Sequence, residues 1–374
     1  MKPSVAILMH SITCGGAERV TALLSNGLAR RGYDMSLITL GGPQNPFYEL
    51  RADVRRRPLD LQWDSTGVVD MWHKNMARVR AIRRTLRDLR PDVLISLMAE
   101  PNVLAILSTR LAERVPVRTI LGARNHPTRM ALSPITRLAR RVCYPLADRL
   151  VTCSRGIAEM YRGWMSVGRV IPIQNPVLLE DRPGDSEAEA LAAEIQPRRC
   201  MIAMGRLVRQ KGYDMLFEAL SRIPEETRRD WTTIVLGEGR LREELDGLAR
   251  RLGIDDMVRM PGQFRNPYPV LRAADLYVMS SRYEGFPNAL TEAMACGLPA
   301  VSFNCPTGPG EIIRDGTDGL LVPPGDVGAL AEALTDLMSD ADRRKRMAER
   351  APEVLERFSL ERFLDQWERL IRRV

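Results

Sequence analysis

Along the chain, short apolar runs alternate with longer segments in which apolar residues recur every three or four positions. In the first half the runs are VAILM (5–9), MSLITL (35–40), DVLISL (92–97), VRTIL (117–121) and RLVTCS (149–154). Near-continuous apolar runs of this length predict strands buried on both faces of a parallel sheet. Helical periodicity from Glu18 to Arg31 and from Met76 to Arg90 predicts helices between them. Strand–helix alternation with short loops is the pattern of a doubly wound α/β sheet.

The alternation weakens over residues 171–200, where prolines close a strand and a Pro/Gly/Asp/Ser cluster follows. It then restarts with CMIAMG (200–205), TTIVLGEG (232–239), MVRMPG (257–262), DLYVMSS (275–281) and PAVSF (299–303). The chain is therefore expected to hold two Rossmann-like domains facing across a cleft: residues 1–175, a linker at 176–198, and residues 199–355. Residues 356–374 are expected to form a terminal helix that packs back on the first domain. Its apolar face would be Leu360, Phe363, Leu364, Trp367, Leu370 and Ile371.

Composition narrows the class. The chain has 374 residues, 45% hydrophobic and 27% charged, which is usual for a core-forming globular protein. No apolar run approaches the roughly 20 residues that span a bilayer. The opening MKPSVAILMHS is expected to be a first buried strand rather than a secretory leader. Six scattered cysteines (Cys14, Cys143, Cys153, Cys200, Cys296, Cys305) contain no C-x-x-C pair, so neither a zinc site nor a disulfide framework is expected. A reducing, cytoplasmic compartment follows as the expectation.

The net charge of +8 is unevenly distributed: residues 1–175 carry 27 Lys plus Arg against 13 Asp plus Glu, and the remainder 28 against 34. A basic first half implies an anionic partner. No nucleic-acid-binding signature accompanies it, so an anionic membrane surface is preferred. Two basic stretches would serve: MARVRAIRRTLRDLR (76–90), and the cluster Arg129, Arg137, Arg140 and Arg141.

Three stretches carry candidate chemistry. HSITCGGAERV (10–20) follows the first strand; Gly15 and Gly16 form either a plain tight turn or a loop through which backbone N–H groups meet a ligand. It lacks G-x-G-x-x-G and a closing acidic residue, which disfavours a dinucleotide dehydrogenase. MGRLVRQKGYDML (204–216) brings Arg206, Arg209 and Lys211 to the carboxyl end of a strand, as a phosphate grip or a solvated basic loop. EGFPNALTEAMACG (284–297) holds Glu284 and Glu292 on either side of a helix start, with Asn288 as expected N-cap. Two hydroxyl acceptors would then flank amides that receive an anion.

With those motifs assembled, the chain resembles the family 4 retaining glycosyltransferases of GT-B fold, and among them bacterial enzymes that extend surface polysaccharides or lipid-linked oligosaccharides. The GGAER loop, GRL…QKG, LGEG (236–239), the Glu284/Glu292 pair and CPTGPGEIIRDGTDGLLVPPGD (305–326) carry the likeness, in this order. The resemblance implies that Arg206 and Lys211 neutralise a departing diphosphate, that Glu292 holds ribose hydroxyls, and that Glu284 meets the transferred sugar. It also implies that Gly285, Phe286, Pro287, Asn288 and Ala289 surround sugar and phosphate, that Glu238 contributes to the donor site, and that Gly15 and Gly16 close over the donor. His126, in RNHP, is the expected first-domain catalytic residue, with Asn125 or Arg124 able to do the positioning instead; His10, at the end of the first strand, abuts the glycine loop, and Glu311 would bind donor or cap a helix.

The expected donor is a nucleotide sugar, UDP-linked by resemblance; the acceptor is a lipid-linked or growing glycan, and no metal ion or nucleic acid is expected. The enzyme would work at the cytoplasmic face of the inner membrane. A nucleotide-sugar 2-epimerase of the same architecture and a catalytically silent membrane scaffold are the alternatives. Lys211→Ala is expected to abolish most turnover while leaving the fold intact.

Overall fold

The computed structural model describes residues 2–13, 15–41, 48–61, 68–110, 114–129, 132–179, 184–196 and 198–374. The chain divides into two compact units, Met1–Pro176 with Leu360–Val374, and Val177–Ser359.

In the first unit the strands are β1 (Val5–Met9), β2 (Met35–Thr39), β3 (Arg55–Pro58), β4 (Val93–Leu97), β5 (Arg118–Ala123), β6 (Arg149–Thr152) and β7 (Val170–Pro172). They form one parallel sheet in the order β3-β2-β1-β4-β5-β6-β7. Every residue of β1 and β4 is buried, which is why these strands read as unbroken apolar runs. β3 gives no such signal: its sequence is RRRP and all four residues are exposed. It is an edge strand, where arginines discourage pairing with another chain and a terminal proline forfeits no needed ladder bond.

The helix Leu360–Arg373 belongs to this unit. It contributes Phe363, Leu364, Trp367, Leu370 and Ile371 to the same core as Val5, Ile7, Leu24 and Leu28. The approach to the helix Gly16–Arg30 is close: a Cβ on Gly27 would lie 2.5 Å from Leu364 Cδ2. Beside that contact the Arg31 guanidinium gathers Glu361, and Asp365 and Glu368 at 2.7 Å each.

The second unit contains β8 (Arg199–Met204), β9 (Trp231–Leu236), β10 (Val258–Gly262), β11 (Leu276–Met279), β12 (Ala300–Phe303) and β13 (Gly319–Val322). The parallel order is β10-β9-β8-β11-β12-β13. The chain turns in opposite directions from β8 and β11, so a crevice opens at their carboxyl ends, where ligands of such sheets bind. Helices Tyr213–Arg222 and Val327–Ser339 cover one face with Leu216, Phe217, Leu220, Leu330, Leu334 and Leu337.

Of the stretch 176–198, expected as a linker, the described residues from Val177 onward belong to the second unit. They include the helix Ser186–Ile195, whose start is capped by Asp185 accepting from Ala188 N. The other Asp185 oxygen accepts from the backbone of Arg265 and Asn266, at 2.9 and 3.2 Å. A polar cluster that reads as a loop thus serves as a cap and a cross-link.

Candidate active site

The site grows from three loops of the second unit. Past β8, Gly205 leads to Arg206 and a single tight turn, Arg209–Lys211, that ends at Gly212. Gly212 has φ +65°, and a Cβ there would stand 2.1 Å from Ser280 O, so only glycine fits. This close approach brings Lys211 to the loop that follows β11. The two loops are then bonded repeatedly. Ser280 Oγ donates to Lys211 O at 3.0 Å, Arg282 N to Gln210 O at 2.8 Å, and Gln210 Nε2 to Tyr283 O at 3.0 Å. Arg282 forks onto both Asp214 oxygens at 2.7 and 2.6 Å, and that guanidinium holds the Asp214 carboxyl below its usual range.

At the centre, Lys211 Nζ donates to Glu284 Oε1 at 2.7 Å, and Ser281 Oγ donates to the same oxygen at 2.7 Å. Glu284 is only 6% exposed. Its other oxygen, Oε2, has no hydrogen-bond partner among the described residues. The carboxylate is therefore fixed by one oxygen and presents the other as an acceptor.

The third loop lies behind. Thr307 Oγ1 donates to Glu284 O, and Gly308, with φ +104°, abuts Pro287, since a Cβ there would stand 2.6 Å from Pro287 Cδ. Phe286 is buried edge-on against Phe358, with ring centroids 5.3 Å apart. Its side chain is an anchor; what it offers a ligand is backbone. The helix that follows is Asn288–Ala295. Its N-cap is Pro287 and no side chain caps it, which corrects the expected Asn288 cap: Asn288 is the first helical residue. Leu290 and Thr291 N–H groups bond Pro287 O, at 3.1 and 3.3 Å. Those of Gly285, Phe286 and Ala289 find no acceptor among the described residues. Unbonded amides at a helix start, on the positive end of the dipole, form an anion-binding surface.

Arg206 is exposed and its guanidinium has no partner among the described residues. Glu292 is half-buried one turn into the Asn288–Ala295 helix. Glu238 is exposed and ion-paired with Arg242, at 2.6 Å from Nη2 and 3.1 Å from Nε. Its backbone is more telling, since Leu207 N donates to Glu238 O at 2.8 Å and ties the LGEG loop to the Arg206 loop. Burial, then the Glu284 charge, pushes the neighbouring Cys305 thiol up to about 12, so it stays neutral and is no nucleophile.

Glu311 lies in the first turn of the short helix Pro309–Ile312; Gly15, Gly16, Arg124 and His126 belong to the first unit. Gly15 sits in extended backbone (φ 177°) as N-cap of Gly16–Arg30, and Gly16 opens that helix. Cys14, between the first strand and these glycines, lies outside the described residues. His126 follows β5 and is 7% exposed. Thr128 N–H and hydroxyl lie 3.4 and 3.2 Å from its Nδ1, and burial, then the Arg129 charge, lowers its pKa, so the ring is neutral. Arg124 is buried and donates to Asn175 Oδ1 at 2.6 Å. Sequence reasoning missed Ser281, Gln210, Thr307 and the Arg282–Asp214 pair, whose roles exist only once the loops meet.

Residues 15–176 match the family described as glycosyl transferase 4-like domain, and residues 188–354 match glycosyl transferases group 1. The chain belongs to the glycosyltransferases. A Campylobacter jejuni relative named GalNAc-alpha-(1->4)-GalNAc-alpha-(1->3)-diNAcBac-PP-undecaprenol alpha-1,4-N-acetyl-D-galactosaminyltransferase is 26% identical, over 99% of this chain and 98% of its own length. The lipopolysaccharide core biosynthesis glycosyltransferase LpsE of Rhizobium meliloti is 29% identical, over 96% of each chain. Among solved structures, Alr3699/HepE of Anabaena in complex with UDP and glucose superimposes with a TM-score of 0.80 at 18% identity, over 100% of each chain. The two parallel-sheet domains are those of a GT-B glycosyltransferase.

Proposed function

We propose that the chain transfers a hexose or N-acetylhexosamine from a UDP-sugar to a lipid-linked or growing glycan acceptor in bacterial surface-polysaccharide assembly, with retention at the anomeric carbon. The observation that carries this reading is the Lys211–Glu284 pair beside the amides of Gly285, Phe286 and Ala289, which find no acceptor among the described residues. A cation, an anchored acceptor oxygen and a helix start converge there on what a sugar nucleotide needs. The undecaprenol diphosphate in one relative's name and the lipopolysaccharide core in another's support a lipid-borne acceptor. UDP and glucose in the Anabaena complex support the donor.

In this reading the amides and Arg206 receive the diphosphate, Glu284 Oε2 accepts from a hydroxyl of the transferred sugar, and Glu292 accepts from the ribose. The bond between C1 and the diphosphate oxygen breaks, and charge develops on the departing group where Lys211 and Arg206 stabilise it. The acceptor hydroxyl adds to C1 from the face the diphosphate leaves, and its proton passes to a diphosphate oxygen. These cations take the part a divalent metal would otherwise play. Roles for Gly15, Gly16, Glu238 and His126 rest on family resemblance.

The test is transfer from a panel of labelled UDP-sugars to membrane-lipid extracts in EDTA, with product configuration read by NMR. An α-donor giving an α-linked lipid glycan is the expected result. A 2-epimer released without acceptor, or transfer only when magnesium is restored, overturns the reading.

A further inference from the structure

The helix Pro134–Cys143 in the first unit is built inside out. Its buried residues are Arg140 and Cys143, while Ile135, Leu138 and Val142 are 55%, 66% and 59% exposed. Leu146, in the short turn Tyr144–Leu146 that continues the helix, is 47% exposed. The spacing of three, four and four residues puts all four aliphatic side chains on one stripe. Val167, 62% exposed, adjoins its end, because the neighbouring Arg169 donates to the carbonyls of Pro145 and Ala147.

Arg140 explains the rotation of the helix. It is 1% exposed, donates through Nη1 to Pro127 O at 3.2 Å and through Nη2 to the Tyr161 hydroxyl, and lies 5.4, 6.0 and 5.6 Å from the ring centroids of Tyr144, Tyr161 and Trp164. Turning the stripe inward would expel this guanidinium from its aromatic cage. The arginine counted in the sequence as part of a basic surface is instead the device that holds the apolar stripe outward.

Charge selects the occupant. Residues 124–147 contain five arginines and no Asp or Glu. Arg137 and Arg141 are exposed beside the stripe, and Arg141 lies 5.0 Å over the half-buried Trp164 ring. A second copy docked on the same face would bring four guanidiniums together with no carboxylate from this segment between them. A bilayer with anionic headgroups supplies both apolar depth and counter-charge. The basic helix Val68–Leu89 ties two of its arginines inward, Arg78 to Glu100 at 2.8 Å and Arg83 to the carbonyls of Ser108 and Leu107, and leaves Arg80, Arg84 and Arg87 exposed.

We infer that Pro134–Cys143 with Leu146 is the face by which the chain lies on an anionic lipid bilayer, arginines among the headgroups and aliphatic stripe below them. This deepens the lipid-acceptor reading and rests on it for its purpose, yet it is testable without any acceptor.

The experiment is co-sedimentation with phosphatidylcholine vesicles with and without phosphatidylglycerol, alongside analytical ultracentrifugation without lipid. Wild type should bind the anionic vesicles, less so at high salt. Leu138→Ser with Val142→Ser should weaken binding by roughly tenfold at unchanged melting temperature, since both positions are exposed. Arg137→Gln with Arg141→Gln should remove the preference for phosphatidylglycerol. Equal binding by wild type and the serine variant overturns the proposal. So does a lipid-free dimer that the serine variant dissolves, which would assign the stripe to self-association. Loss of UDP binding or of transfer with vesicle binding intact would instead count against the proposed reaction.

Discussion

A half-buried ammonium and a buried carboxylate 2.7 Å apart matter most for what happens when one is taken away. The net worth of such a pair is small, because both groups lost water to form it, but an unpaired survivor is costly. Lys211 is 17% and Glu284 8% exposed in their side chains. Lys211→Ala should therefore cost about 3 kcal/mol of stability as well as most of the transfer rate. This revises the sequence expectation of an intact fold. Glu284→Gln keeps an acceptor for Ser281 and removes the charge, and should be milder in thermal unfolding yet severe in transfer. Lys211→Ala with an unchanged melting temperature would contradict the pair's role. His126 gives a pH signature. Its folded pKa lies below the ordinary value near 6.5, so the unfolded chain binds more protons as pH falls through that value. Stability should drop between about pH 7 and 5, and His126→Asn should flatten that slope in melting curves. Lys211 and Glu284 stand out in the sequence by the charge they carry, and the structure brings them together at 2.7 Å; the roles proposed for Arg206 and Glu292 rest on the family resemblance. Ser281 and Thr307 do not stand out, because a serine or threonine shows no role until its partner loop is in place.

At the scale of elements, runs buried on both faces announced themselves, and β1, β4, β8 and β9 lie where their apolar runs predict. Edge elements did not, since β3 buries nothing and the two-faced pattern has no meaning there. The helix Pro134–Cys143 reads in the sequence as part of a basic membrane-facing cluster, and only packing reveals that Arg140 turns inward and the aliphatic residues outward. The Asn288–Ala295 helix starts one residue earlier than an Asn cap implies, with Pro287 as its N-cap; among the described residues the amides of Gly285, Phe286 and Ala289 find no acceptor. Loop glycines hold these elements at working distance. Gly212→Ala combines a left-handed backbone with a 2.1 Å clash against Ser280 O, so the Lys211 turn must pull away from the Glu284 loop. Its expected outcome is a loss of about 2 kcal/mol in denaturant unfolding and a transfer rate near that of Lys211→Ala. Unchanged transfer would show that the loop contact is dispensable.

At the scale of the molecule, two parallel sheets in series were readable from alternation alone, but the path between them was not. The chain leaves the first unit at Pro176 and re-enters it at Leu360, and a polar stretch that looks like a tether is bonded into the second unit by Asp185. Such bonding is invisible to composition, which registers proline and glycine but not what an aspartate caps. Charge follows a similar division: the net positive charge belongs to the half that holds the apolar stripe, and the acidic half contains the proposed donor site. The central claim is that this second half grips a UDP-sugar with Lys211, Arg206 and backbone amides, without a metal ion. Thermal unfolding with UDP, GDP, ADP and NAD, in EDTA and again with magnesium, tests it most directly. A ligand of the folded state stabilises by about 2.7 kcal/mol at a hundredfold excess over its dissociation constant. UDP should raise the melting temperature in EDTA, more than GDP, ADP or NAD do, and Lys211→Ala should abolish the shift. Stabilisation by NAD alone, by UDP only when magnesium is present, or by no nucleotide at all would contradict the claim.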